Sequence, residues 1–327
     1  MMFSNRIGVV VIGRNEGVRL QRCLLSVLDV ASAVVYVDSG STDDSVSMAL
    51  GLGVIVTQLD MTLPFTAARA RNEGFAKLIA NRSDLVYVQF VDGDCEVIAS
   101  WLEIAHSFLS THSAVGAVCG RRRERFPQRS IYNLLCDIEW ETPIGEAKAC
   151  GGDVMFKVAA FKDVVGYRND MIAGEEPELC VRLRAGGWKV WRLDAEMTLH
   201  DAAMTRFAQW WKRSMRSGHA YAEGAFLHGA PPERHSVRES QRIWFWAFVM
   251  PLIVFVCIVE FGCLALLLTL IYPVQITRLT LKGQRSFGIN FINAFFLVLG
   301  KFPELQGQLK FWWRRVGVGK VGLIEYK

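Results

Sequence analysis

The sequence has little of what marks a secreted or nucleic-acid-binding protein. Its eight cysteines form no C-x-x-C pair, which removes the usual spacing of a zinc or redox motif, and several fall inside apolar runs. That placement predicts buried free thiols in a reducing cytosol, not a disulfide frame. Strand-forming residues begin almost at once, at Ile7, so no cleavable leader is expected. No G-x-G-x-x-G follows the first apolar run, and no G-x-x-x-x-G-K-[ST] occurs anywhere. A dinucleotide dehydrogenase and a P-loop NTPase are therefore disfavoured. A formal charge of +5 over 327 residues argues for no nucleic-acid partner.

What is present is placed unevenly. Val86-Tyr87-Val88-Gln89-Phe90-Val91 reads as a strand buried on both faces, and it ends in Asp92-Gly93-Asp94. Ile7 to Ile12, Ala33 to Val37 and Val54 to Val56 read as further strands, with helical patterns between them. Strands alternating with helices predict an α/β fold, a mainly parallel sheet with right-handed crossovers. In such a sheet the ligand crevice lies beyond the carboxyl ends of the strands. Asn15 and Glu16, Asp38, Asp92 and Asp94 should all emerge there. Two hard oxygen donors at close quarters suit Mn²⁺ or Mg²⁺; an Asp-Gly turn with solvated acids is the other reading. Asp38 can bind a base or ribose, or serve only as a helix-entry turn residue.

Four pieces in order resemble a known family: Val10-Val11-Ile12-Gly13-Arg14-Asn15-Glu16, Val37-Asp38-Ser39-Gly40-Ser41-Thr42-Asp43, Ala68-Arg69-Ala70-Arg71-Asn72-Glu73-Gly74 and Asp92-Gly93-Asp94. Together they resemble a family 2 glycosyltransferase of the GT-A fold, over roughly residues 7 to 225. The resemblance implies a nucleotide-diphosphate sugar donor, a divalent metal (Mn²⁺ or Mg²⁺) and inversion at the anomeric carbon. By position it implies Asp38 for the nucleobase, Glu16 for the nucleoside, Arg71 for the nucleotide, and Asp92 with Asp94 for metal and diphosphate. Ser39 departs from the second Asp the family often carries, which leaves the base open.

The middle of the chain holds the acceptor side. Arg121 to Arg125 reads as a solvated face, with phosphate holding as the alternative. Paired glycines at Gly151-Gly152 permit close backbone approach, and in the resembled family such a pair followed by a polar residue floors the acceptor site, here Gly152 and Asp153. Gly174-Glu175-Glu176-Pro177-Glu178-Leu179 opens a helix, with Pro177 in its first turn. Acids there favour the helix dipole, so capping alone accounts for them. An inverting transfer also needs a carboxylate base, and the resemblance implies Glu176, with Glu175 as the fallback. His200, after the strand-like Trp188 to Leu193, is implied as a third metal ligand. Gln209-Trp210-Trp211-Lys212-Arg213 lacks the residue order of processive synthases, which favours single sugar addition.

Trp244 to Tyr272 is almost wholly apolar, broken by Pro251 and Glu260. It is long enough for one tilted span, or for a hairpin around Glu260-Phe261-Gly262 whose arms are each short. Trp244, Trp246 and Tyr272 are placed as interfacial anchors. Phe287 to Leu299 is an interfacial or re-entrant candidate. Arg278, Lys282, Arg285, Lys301, Lys310, Arg314, Arg315, Lys320 and Lys327 face only Glu304 and Glu325, a bias that suits an anionic membrane surface.

The expected organisation is a catalytic region over 1–230, a linker over 231–242 and a membrane-anchoring helical region with a basic tail over 243–327. The expected partners are a nucleotide-diphosphate sugar, a polyprenyl-linked or other saccharide acceptor, and a membrane. The expected location is a bacterial inner membrane with the catalytic part cytoplasmic, in surface polysaccharide assembly. A polyprenyl-phosphate glycosyltransferase and a non-catalytic nucleotide-sugar binder are the alternatives.

Overall fold

The computed structural model describes residues 6–317, so the expected basic positions Lys320 and Lys327, with Glu325, lie outside the described residues. The chain divides into two compact units, one ending at Ala203 and the other beginning at Met204. The first therefore ends earlier than the catalytic stretch of 1–230 drawn from sequence.

The first unit is built as β1 (Ile7–Gly13), α1 (Val18–Leu28), β2 (Ala33–Asp38), α2 (Ser45–Gly51), β3 (Ile55–Gln58), α3 (Ala67–Asn81) and β4 (Tyr87–Asp92). It continues with β5 (Cys95–Val97), α4 (Trp101–Thr111), β6 (Val115–Glu124), α5 (Ile131–Glu139), β7 (Gly145–Ala147) and β8 (Val154–Lys157). Helices α6 (Val158–Asp163) and α7 (Glu175–Ala185) and strand β9 (Lys189–His200) complete it. Among the described residues all nine strands join one sheet in the order β3-β2-β1-β4-β8-β6-β9-β5, with β7 on β9. The first four are parallel. Beyond β4 the sheet turns mixed, because β8 is antiparallel to both β4 and β6, and β5 and β7 are antiparallel to β9. The expectation of a mainly parallel sheet thus holds for the front half only, where helices make the crossovers.

Burial explains the front strands. Val9, Val10 and Val11 and their neighbours Val35, Tyr36 and Val37 are fully enclosed between helices, as a doubly covered parallel sheet requires. Gln89 is tolerated inside β4 because its amide donates to the Phe90 carbonyl and accepts the Trp101 indole N–H at 2.8 Å. Helix α3 lies close on the sheet. A Cβ on Gly74 would overlap the side chains of Val10 and Val37.

The second unit is helical: α8 (Phe207–His228), α9 (Val237–Trp244), α10 (Met250–Phe261), α11 (Ile271–Lys282), α12 (Phe287–Leu299) and α13 (Lys301–Arg315). A π-turn over Phe245–Val249 joins α9 to α10, and 3₁₀ turns over Gly262–Leu270 join α10 to α11. Helices α8 and α13 cross with backbones touching, since a Cβ on Gly218 would collide with the Glu304 carbonyl and one on Gly307 with that of Met215. Trp210 is buried in this unit, its ring edge-on to Phe296 at 4.8 Å, so it packs a core.

Helical turns run from Val237 to Lys282, a stretch long and apolar enough to cross a membrane by length and composition. The chain does not continue in one direction through it. The Tyr272 hydroxyl donates to the Trp246 carbonyl at 2.7 Å, and the two rings lie 5.9 Å apart. A straight helix would separate these residues by about 39 Å. The reversal falls at Gly262, whose φ of +69° suits glycine. Of the two readings of this stretch, the hairpin is the one found.

Candidate active site

The register of the parallel strands lines up the expected site residues. Gly13 pairs with Asp38 across β1 and β2, and Ile12 pairs with Asp92 across β1 and β4. Asp38 and Asp92 therefore end strands two spacings apart, about 10 Å, on one rim. Glu16 closes the gap from the loop after β1: its side chain lies against Gly13 and against Gly93 of the Asp92-Gly93-Asp94 turn and pairs with Arg19 at 2.7 Å.

The loops carrying Asp38 and Asn15 are tied together. Asn15 Oδ1 accepts the Thr42 N–H at 2.7 Å, while its own N–H donates to Ser41 Oγ at 2.9 Å. Asp38 accepts the Tyr36 hydroxyl (2.9 Å) on one oxygen and the N–H groups of Gly40 (3.0 Å) and Ser41 (2.9 Å) on the other. The turn reading of Asp38 is the one these bonds show, since they shape the loop after β2 and fix its carboxylate at the strand end.

Helix α3 shows why its sequence reads Arg69-Ala70-Arg71-Asn72. Thr66 caps it by accepting the Arg69 N–H at 3.0 Å. The Arg69 guanidinium is spent on the carbonyls of Leu63 and Pro64 and of Asp60, fixing the entering loop. Asn72 holds the segment before α7 through the Tyr167 carbonyl (2.7 Å) and N–H (3.0 Å). Arg71 is left to face the crevice.

Buried Arg71 grips three carboxylates: Asp92 Oδ1 at 2.9 Å, Glu175 Oε1 at 2.9 Å and Glu176 Oε1 at 3.1 Å. The Tyr167 ring lies 5.5 Å beneath its guanidinium. A second cation, Arg122, meets Asp92 Oδ2 at 3.1 Å and Asp153 Oδ2 at 3.4 Å, with the Trp140 ring at 4.9 Å. Burial alone would raise the Asp92 pKa, but Arg71 and then Arg122 outweigh it and hold the carboxyl well below its usual range. Both Asp92 oxygens are paired to guanidinium groups in this structure, and Asp92, Cys95 and Asp153 also offer ligand atoms within 4.8 Å of one another.

Asp153 is placed otherwise than expected. Its oxygens accept the Asp92 N–H at 3.0 Å and the Thr198 hydroxyl at 2.7 Å, and it is fully buried. It braces Asp92 from behind and has no carboxylate left to floor an acceptor site. Gly152 stands in front: a Cβ there would lie 2.5 Å from Arg71 Nη2 and 3.0 Å from Asp92 Oδ2. Glycine is what lets the chain pass this ion pair.

Asp94 turns away from Asp92, toward His200, with Oδ2 and Nε2 3.3 Å apart. Strand pairing sets this contact, because Cys95 of β5 is opposite His200 of β9. His200 Nδ1 faces Glu124 Oε2 at 3.5 Å, and that carboxylate is anchored by the Ala202 N–H and by Asn133. Burial and nearby Arg122 lower the His200 pKa, so the ring is held neutral, as a ligating imidazole must be. A carboxylate orienting one ring nitrogen while the other meets a second carboxylate is the arrangement of a metal-ligating histidine. Asp94, Cys95 and His200 offer ligand atoms within 4.8 Å of one another. Burial pushes the Cys95 thiol well above its usual range, which leaves oxygen and nitrogen donors suited to a hard or borderline divalent cation. The residues fit Mn²⁺ or Mg²⁺ at Asp94 and His200.

The three acids that begin α7, behind Gly174 at φ +82°, divide the work. Glu178 is buried and takes Arg182 bidentately at 2.7–3.0 Å, a structural pair. Glu175, 3% exposed, is committed to Arg71. Glu176, 17% exposed, is the open one. Burial and the neighbouring Glu175 raise its pKa to about 7 against the pull of Arg71.

Sequence reasoning missed Arg122, Glu124, Trp140 and Tyr167. The arginine run reads in sequence as a solvated face, with phosphate holding as the alternative. The pairing of β6 with β9 slips on both sides of Arg121, and such bulges re-aim side chains beside sites. Arg121 is thereby sent to Asp137 (3.3 Å) and Arg122 to Asp92.

Residues 8–149 match the family model described as Glycosyl transferase family 2. That stretch is a family 2 glycosyltransferase domain, and the chain is a glycosyltransferase. The fold is shared with the mannosyltransferase PcManGT from Pyrobaculum calidifontis, solved in complex with GDP-Man and Mn²⁺: TM-score 0.59 at 17% identity, covering 96% of this chain and 89% of that one. A mycobacterial protein is similar over 69% of this chain and 76% of its own, with TM-score 0.51 and 20% identity. No curated protein matches in sequence.

Proposed function

We propose that this glycosyltransferase is an inverting, metal-dependent enzyme. It moves a sugar from a nucleotide-diphosphate donor to a lipid-linked saccharide at the cytoplasmic face of a membrane, in surface polysaccharide assembly. The observation that carries the reading is Arg71, which joins the strand-end carboxylate Asp92 to the α7 acids Glu175 and Glu176 within 3.1 Å. Donor side and base side thereby share one crevice.

In the proposed division, Asp38 and Glu16 receive the nucleoside, while Asp92, positioned by Asp153, Arg122 and Arg71, receives the donor's diphosphate-sugar end. A divalent cation at Asp94 and His200 would supply neutralising charge for the departing diphosphate. Glu176 accepts the proton of the acceptor hydroxyl as that oxygen bonds to the anomeric carbon, and the bond to the diphosphate oxygen breaks with its electron pair. A carboxyl whose pKa is near 7 is matched to that task, being ionised at working pH yet more basic than an exposed glutamate. Glu175 keeps Arg71 in place. The apolar hairpin and the exposed phenylalanines 287, 291 and 295 of α12 support membrane attachment, and with it an acceptor presented from a lipid.

A thermal-shift panel of UDP-, GDP- and dTDP-sugars with and without Mn²⁺ tests the donor reading. One donor should raise the melting temperature only when the metal is present. A chain stabilised by no nucleotide sugar would contradict it.

A further inference from the structure

We infer that the hairpin around Trp244 to Tyr272 is a membrane insert. It enters an anionic bilayer from one side and returns to that side, so that both of its flanks lie on one face.

The lengths fit a paired hairpin. From Trp246 to the turn at Gly262 the helix rises about 24 Å at ~1.5 Å per residue. The return from Gly262 to Tyr272 in 3₁₀ turns covers about 20 Å at ~2.0 Å per residue. The two arms agree, as the Tyr272–Trp246 hydrogen bond at 2.7 Å demands. Helical turns continue back to Val237 and on to Lys282, so each arm reaches the depth of a hydrocarbon core of about 30 Å.

The surface argues for lipid. Phe255, Val259, Phe261, Leu264 and Leu267 stand 64–74% exposed toward the tip, with nothing of the described chain to cover them. Charge is sorted by end. Arg238 and Arg242 precede the first arm, and Arg278 and Lys282 follow the second, all exposed. The Trp246 and Tyr272 rings, tilted 56° to one another, lie just inside them, an aromatic level beneath a basic collar that matches a headgroup layer over hydrocarbon. Helix backbones also satisfy their own polar groups, which the bilayer interior requires. The exception is Glu260, exposed one residue before Phe261 at the tip. A charge is costly in hydrocarbon, so the tip must bring Glu260 to a polar layer.

This inference deepens the proposed membrane placement but uses no sugar chemistry, so it is tested without transfer activity. Cys263, exposed at the turn, is a native reporter. In the full chain carrying C257S, Glu239→Cys and Gln284→Cys each place an exposed reporter on one flank. Sealed right-side-out and inside-out vesicles from the expressing cells are treated with a membrane-impermeant maleimide. E239C and Q284C should label from the same face, and Cys263 should not label from that face until detergent is added. Labelling of the two flanks from opposite faces would overturn the inference in favour of a single span. Labelling of Cys263 from the flanks' own face in intact vesicles at its detergent rate would overturn it in favour of a peripheral surface. Protection of Cys263 that survives lipid removal in a dimer, by light scattering, would assign the apolar tip to a second copy of the chain. An unaltered donor-induced thermal shift in E239C and Q284C controls for folding, and its absence in the parent chain as well would count against the glycosyltransferase reading alone.

Discussion

Arg71 reaches Asp92, Glu175 and Glu176 from one buried guanidinium, so whatever moves Arg71 moves donor and base groups together. Gly152 is the nearest such lever. Gly152→Ala puts a methyl 2.5 Å from Arg71 Nη2, forcing the guanidinium aside. A displacement near 1 Å is enough for a loss on the order of 100-fold in kcat/KM, with the fold retained by circular dichroism. Glu176 yields a second expectation. Its carboxyl is raised to about 7 by burial and by Glu175, and a base acts only when deprotonated. The rate kcat/KM should therefore climb as pH rises through about 7 and level off above it, and a profile flat from pH 5.5 to 8.5 would contradict the role. The residues legible in sequence were those whose meaning is local: Asp38, Asp92 and Asp94 follow strands, and Glu176 follows Gly174 at a helix start. Asp153 misled, because nothing near it in the chain shows that Asp92 and Thr198 consume its carboxylate.

Strand β6 decides more of the site than its sequence suggests. Its slipped pairing with β9 aims Arg122 at Asp92, and its last residue, Glu124, orients His200. If Glu124 fixes the ligating ring, Glu124→Gln should weaken Mn²⁺ affinity about 10- to 100-fold, measured by calorimetric titration, while the apo melting temperature changes far less. Periodicity identified β1, β2 and β4, whose burial on both faces leaves long apolar runs. It did not identify β5 and β7, three residues each, or the continuity of β9 through Ala195. Such short or bent strands owe their existence to partners distant in the chain.

At the scale of the molecule, the sequence pattern of alternating strands and helices was sufficient for the front of the sheet and for the apolar block near residue 250. It could not choose between span and hairpin. That choice rests on Gly262 and on the Trp246–Tyr272 contact, a tertiary fact. The second unit depends on the glycine crossing of α8 and α13. Gly307→Leu, with its side chain driven into the Met215 carbonyl, should unfold that unit, read as lost helical signal and a lowered melting temperature. The proposed lipid-linked acceptor implies faster transfer to an acceptor held in vesicles than to a short-chain soluble analogue at equal concentration. The central claim is that one crevice grips the donor while Glu176 takes the acceptor proton, and Glu176→Gln, assayed in parallel for donor binding and for sugar transfer with Mn²⁺ present, tests it most directly. Binding within a few-fold of the parent with transfer reduced by about 10²- to 10⁴-fold is the predicted result; transfer surviving at the parent rate would contradict it.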